Sequence, residues 1–219
     1  MEGYNSAFQY KRTLAFVAIF LVLAVDQLLK IYVKTNFRLG EMRPICGLDW
    51  ANLYFVENSG MAFGLDMVGG TILLCSFRIV AVVFLLYFLL RILKEKFSFG
   101  FVLCVCLILS GAAGNIFDNL LYGVFFSQST NWDVAYCVPF NEGYSSFFVG
   151  KGVDMFYFPI IMTQFPDWMP VWGGEPFVFF SPIFNFADAA ITTGALSIIV
   201  FYRRSLQQAF ALFEKKEEE

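Results

Sequence analysis

Long apolar runs, each bounded by polar or charged residues, set the organisation of this chain. A membrane-crossing helix needs about 20 mostly apolar residues. Four segments qualify: about Thr13 to Ile31, Thr71 to Leu93, Phe99 to Leu120 and Phe184 to Tyr202. Two segments of different character, roughly 35–70 and 121–183, mix Gly, Pro and Asn with aromatic residues. Leu48 to Val56 alternates and predicts a short strand or two. Residues 155–162 and 177–184 suit strands or elements lying in the membrane interface. The pattern predicts an all-α membrane protein: a four-transmembrane-helix bundle with a small, partly β extracytoplasmic cap, forming one domain over 1–219.

Basic residues orient the bundle. Lys11 and Arg12 precede the first run, Arg91, Lys94 and Lys96 fill the link between the second and third, and Arg203, Arg204, Lys215 and Lys216 follow the fourth. A smaller group, Lys30, Lys34, Arg38 and Arg43, lies on the other side. The positive-inside rule therefore predicts cytoplasmic termini. The first apolar run is too long for a cleavable signal peptide and has no small-residue cleavage site after it.

Composition agrees. The 219 residues are 58% hydrophobic and 15% charged, and the mean hydropathy is +0.65, outside the range of soluble domains. No basic, aromatic-interleaved patch exists, so nucleic acid is not an expected partner. Cys75, Cys104 and Cys106 sit in apolar runs as small hydrophobes. Cys46 and Cys137 fall in the connecting segments, where a disulfide is conceivable but supported by no spacing rule. The chain has no histidine and no CxxC, so neither a metal nor a cofactor is expected.

Four aspartates mark the edges of the apolar runs: Asp26, Asp118, Asp154 and Asp188. A carboxylate at membrane depth is costly and signals function by default. With cytoplasmic termini, all four approach the outer membrane boundary. Asn115-Ile-Phe-Asp118 ends one run and Asn185-Phe-Ala-Asp188 begins another. Residues three apart share a helix face, so each Asn can brace its Asp or a common bound group. Asn185 also suits an N-cap with Asp188 three residues on. Asp26 and Lys30, at i and i+4, can neutralise each other at the membrane edge. Arg78 is near enough to the outer end of its run to snorkel. Asn58 to Gly64 reads as a tight, turn-rich loop.

Without histidine, serine–histidine catalysis is excluded. A Ser–Lys pair lacks an obvious serine for Lys30, Lys34 or Lys151. Two carboxylates sharing one proton can activate water and protonate a leaving amine. A small proton-coupled carrier also places carboxylates in spans, but at mid-depth and with more spans. A lipid-binding assembly factor needs apolar grooves and basic contacts such as Lys34, Arg38 and Arg43, but no carboxylate pair.

VDQLLK (25–30), ENSGMAFG (57–64), GAAGNIFDNL (111–120), GVDMF (152–156) and FNFADAAITTGA (184–195) resemble, in order and placement, the bacterial lipoprotein signal peptidases (signal peptidase II). The resemblance implies an inner-membrane aspartic peptidase of four spans. It implies diacylglyceryl-modified prolipoproteins as substrates, cut N-terminal to the lipidated cysteine, with membrane lipids as the other partner and a monomeric enzyme. It implies Asp154 and Asp188 as the catalytic pair, Asn58, Gly60, Asn115, Asp118 and Asn185 as pocket or bracing residues, and Asp26 and Lys30 at the pocket's edge. Two departures stand out. Asn119 replaces the arginine that usually follows this Asp. The stretches separating Asp154 from Asp118 and from Asp188 are longer than the family norm, which leaves Asp118 with Asp188 as a fallback pair.

Overall fold

All the prolines lie at or beyond position 139 except Pro44, and none falls inside a long apolar run. No proline therefore breaks a helix within those runs. The computed structural model describes residues 2–58 and 68–214, with side chains described for 9–58 and 72–212. The chain runs α1 (Glu2–Asn36), β1 (Met42–Pro44), β2 (Asn52–Asn58), α2 (Val68–Leu93), α3 (Phe99–Phe117), a π-helical turn (Asp118–Tyr122) and a short α4 (Gly123–Phe125). It continues through β3 (Gly152–Tyr157), β4 (Ile161–Gln164), β5 (Pro176–Phe179), β6 (Ile183–Phe184), α5 (Phe186–Phe201) and α6 (Arg203–Glu214).

Among the described residues, three helical segments are long and apolar enough to cross a membrane: Gln9–Asn36, Ile72–Leu93 and Phe99–Phe125. The fourth apolar run departs from a straight span. α5 has only 16 residues, about 24 Å at 1.5 Å per residue, less than a hydrocarbon core of about 30 Å. At Tyr202 the chain bends by 94° into α6, and the pair makes a fourth crossing only as one broken span. α6 lays Leu206 and Ala209 against the core that includes Phe88, Leu89, Phe101 and Ile198. Arg203 and Arg204 begin it.

α3 is the hub, packing against α1, α2 and α5. Small residues let α3 and α5 approach closely. A Cβ added to Gly111 would collide with the Ala187 carbonyl oxygen, and one added to Gly114 would come within 2.6 Å of Asp26 Oδ2. Lipid tails give helices no hydrophobic reason to associate, so such close packing supplies much of the attraction.

At the other end of the helices sits an antiparallel sheet in the order β1-β2-β3-β6, with β4 and β5 forming a separate hairpin. The first strand pair differs from the alternation seen in the sequence: Leu48–Ala51 is not strand, with a turn at Asp49 and Trp50, and β2 begins at Asn52. Val56 pairs with Asp154 and Asn58 with Gly152, with a register shift between Leu53 and Val56. Val153 and Met155 bury against Val33, Phe37, Phe55, Tyr122 and Phe126. Side chains alternate along a strand, so this turns Asp154 to the opposite face.

A second polar cluster fastens the cap to α1. Lys34 Nζ meets Glu57 Oε1 at 2.5 Å and donates to Ser129 Oγ at 3.0 Å, while Ser129 Oγ donates to Glu57 at 2.6 Å. Lys34 thus has the serine neighbour that the sequence did not suggest. That hydroxyl is buried and committed to Glu57, so it is no free nucleophile. Cys46 and Cys137 are exposed and unpaired.

Gly111→Ala should force α5 away from α3, costing about 1–3 kcal/mol by overpacking. The check is thermal unfolding in detergent, with Ala112→Gly as the matched control.

Candidate functional site

The site grows from the N-terminus of α5. A helix start leaves backbone N–H groups without partners. Asn185 caps this one: its Oδ1 accepts from Asp188 N at 2.9 Å, and Asp188 Oδ2 accepts from Asn185 N at 3.2 Å, a reciprocal capping box. Asp26, reaching across from α1, accepts from Ala187 N at 2.9 Å. The ordinary capping role expected for Asn185 is therefore real. It also leaves the Asn185 amide nitrogen free to donate to Asp154 Oδ1 at 2.8 Å. One side chain ties the two aspartates together.

Lys30 holds the floor. Its ammonium lies 3.0 Å from Asp26 Oδ2 and 2.7 Å from Asp118 Oδ2, and donates to Asn115 Oδ1 at 2.9 Å. The Asp118 Oδ2 approach is a charge contact rather than an aligned hydrogen bond, and that oxygen has no other donor. Gln27 Nε2 donates to Asp118 Oδ1 at 3.0 Å and to Asp26 Oδ2 at 3.1 Å. Lys30, Asp26 and Asp118 are all essentially inaccessible. The pair expected at the edge of a pocket is instead a buried foundation. Asp118 has found its partners in Lys30 and Gln27.

Accepting from Lys30 fixes which way the Asn115 amide points. Its Nδ2 donates to Asp188 Oδ1 at 2.9 Å. Asn58 Nδ2 donates to Asp154 Oδ2 at 3.2 Å. Asn58, Arg78, Asn115, Gly152, Asp154, Asn185 and Asp188 line one cavity of about 40 Å³, room for about one water molecule. Asp118 is not among its lining residues. Gly60 lies outside the described residues. Among those described, no group of three or more Asp, Glu or Cys side chains is arranged to hold a metal ion.

Sequence reasoning missed the part played by Arg78. It does not snorkel: Nη1 donates to Asn119 Oδ1 at 2.6 Å. Asn119 is fixed in turn by Gly150, whose carbonyl takes its Nδ2 at 2.8 Å and whose N–H bonds its backbone oxygen at 2.9 Å. The π turn makes this possible. An extra residue in the turn frees a carbonyl and points Asp118 and Asn119 both inward. The only sequence signal was a lone arginine inside an apolar helix.

Burial pushes the Asp154 carboxyl above the usual carboxylate range, and the nearby charge of Asp188 adds to the shift. The amides of Asn185 and Asn58 and the charge of Lys30 oppose it. A carboxyl with a raised folded-state pKa favours the folded state when protonated. That contribution is fully present below the ordinary carboxylate pKa and is lost as pH rises through the raised value. The melting temperature of the parent, relative to Asp154→Asn, should therefore fall as pH rises above the ordinary carboxylate range. A pH series of melting curves in detergent reads this difference directly. Lys30→Met should cost about 3–5 kcal/mol, because it leaves buried carboxylates without their cation. Unfolding of the purified variant at neutral pH measures it.

A sequence profile described as signal peptidase (SPase) II matches residues 18–203. A Porphyromonas gingivalis protein named lipoprotein signal peptidase is 46% identical over 189 residues, covering 86% of this chain and 82% of that one. A protein of the same name from Amoebophilus asiaticus is 34% identical over 202 residues, covering 90% and 80%. A solved bacterial membrane enzyme, crystallised by the in meso method at 1.9 Å, shares the fold with a TM-score of 0.56 at 19% identity. It covers 86% of this chain and 91% of its own.

Proposed function

The chain belongs to the signal peptidase II family, and on that premise we propose that it is a four-span aspartic endopeptidase that removes signal peptides from diacylglyceryl-modified prolipoproteins. It cuts on the N-terminal side of the lipidated cysteine. It works as one domain, as a monomer in the bacterial inner membrane, with cytoplasmic termini and the site at the outer leaflet. α5 with α6 supplies the fourth crossing. The substrate's lipid lies among the membrane lipids and presents the scissile bond at the sheet end of the helices.

The observation that carries this reading is the meeting of Asp154 and Asp188 across one water-sized cavity, with Asn185 bonded to both. Asp154 is the proton holder, since burial and Asp188 both disfavour its charge. Asp188 is the partner that takes the proton: it stands in the first turn of α5, where the positive end of the helix dipole favours a carboxylate.

The chemistry follows from those two states. Asp188 takes a proton from water as its oxygen attacks the scissile carbonyl carbon. Asp154 gives its proton to the carbonyl oxygen, forming a tetrahedral diol. Asp188 then passes the captured proton to the leaving cysteine nitrogen. The carbon–nitrogen bond breaks, and a diol hydroxyl returns its proton to Asp154. The products are a signal peptide with a new carboxyl end and a lipoprotein with a free cysteine amine. Lys30, Asp26 and Asp118 stay outside the proton path and hold Asn115 and the α5 terminus in place.

Asp154→Asn and Asp188→Asn should each lower cleavage of a lipidated precursor by about 100- to 10,000-fold, the range that general acid–base groups contribute. Both variants should still insert and purify. Retained turnover in either one removes that residue from the pair. In the parent, kcat/KM should decline on the alkaline side as Asp154 loses its proton, at a pH above the ordinary carboxylate range.

A further inference from the structure

The cavity holds a charge that the dyad chemistry does not use. Lys30 commits its ammonium to Asp26, Asp118 and Asn115. Arg78 is different. It lines the cavity beside Asp154 and Asp188, yet forms no ion pair among the described residues. Its anchor, Asn119, is neutral and takes one N–H. A guanidinium has five, so four donors have no partner among the described residues, and the positive charge is unpaired there. A cation in an apolar helix near membrane depth is costly unless something accepts those donors. Asn119, itself fixed by Gly150, orients one of its nitrogens without supplying a counter-charge, as a pre-set binding group requires.

We propose that Arg78 is a substrate-positioning residue that donates hydrogen bonds to a carbonyl oxygen of the lipidated precursor beside the scissile bond. This rests on the Asp154–Asp188 reading of the cavity. The acceptor must be neutral or weakly anionic, because the dyad already carries one negative charge and a full anion would be repelled. Two parts of the precursor offer such an oxygen: the peptide backbone near the cleavage point and the acyl ester groups of the diacylglyceryl moiety. Arg78 suits either, since its planar fork reaches two acceptors where a lysine offers a point charge.

The test compares parent, Arg78→Gln, Arg78→Lys and Asn119→Ala on two synthetic precursors. One carries ester-linked acyl chains and the other ether-linked chains, which lack the ester carbonyls. Arg78→Gln should lower kcat/KM by about 10–100-fold, the worth of a hydrogen bond to a charged group, mainly through KM with kcat little changed. Arg78→Lys should recover part of the loss, and Asn119→Ala should show a smaller effect in the same direction. An equal loss on both precursors assigns the acceptor to the peptide. A loss confined to the ester-linked precursor assigns it to the lipid. Parent-like KM in Arg78→Gln on both precursors overturns the proposal. So does a loss of folded protein that Arg78→Lys fails to restore, which marks a merely structural role. Asp188→Asn, run alongside, separates the two claims. An inactive Asp188→Asn with a parent-like Arg78→Gln rejects only the positioning role, whereas an active Asp188→Asn rejects the dyad itself.

Discussion

The carboxylate cavity at the sheet end of the helices depends on one buried cation, Lys30. Lys30 lies in a membrane-length helix, and its ammonium is fully removed from solvent. Such a charge persists only when neutralised and hydrogen-bonded. Asp26 and Asp118 do this from α1 and from the end of α3. Once neutralised, the group becomes a fixed donor for Asn115, which aims its amide at Asp188. Asp26 uses its second oxygen to hold the first turn of α5. One ion-pair network thereby joins three helices and orients the residue proposed as the base.

The proposed acid comes from a different layer. Asp154 is carried by β3, whose alternate residues Val153 and Met155 are locked into the core of the cap. Asn58 on the neighbouring strand and Asn185 at the start of α5 reach it from two sides. The two carboxyl groups thus rest on separate rigid elements, a sheet and a helix N-terminus, joined by a single asparagine. Their environments differ accordingly. Both accept two hydrogen bonds, but one is carried by a buried strand and the other stands at a helix N-terminus. That asymmetry gives two identical side chains different roles.

Much of this was legible in the sequence, where local rules apply. Apolar run length gave three of the spans, and the i, i+4 spacing of Asp26 and Lys30 gave their ion pair. The Asn185 cap followed from its place before an apolar run. The repeated Asn-x-x-Asp reads in the sequence as a local bracing element; the structure keeps the local pair at Asn185 and Asp188 and adds partners from other elements. Asn115 bonds Asp188 rather than Asp118, and Asn185 bonds Asp154 as well as capping its own helix. The rest was set by tertiary contact between distant residues. Arg78 with Asn119, and Lys34 with Ser129, bring together positions 41 and 95 apart in sequence. The bend at Tyr202 was hidden too, because hydropathy counts apolar residues and does not show where a helix turns.

The coupling of the two aspartates is the central claim, and the titration of Asp154 tests it most directly. With aspartate carboxyl carbons labelled by ¹³C and the Asp154 signal assigned, its chemical shift can be followed against pH in the parent and in Asp188→Asn. A shared site predicts a midpoint above the ordinary carboxylate range in the parent. In the variant it moves down, because one of the two causes of the elevation is gone, while burial keeps it partly raised. The same midpoint in both proteins would show that Asp154 does not sense Asp188, and would contradict a paired site.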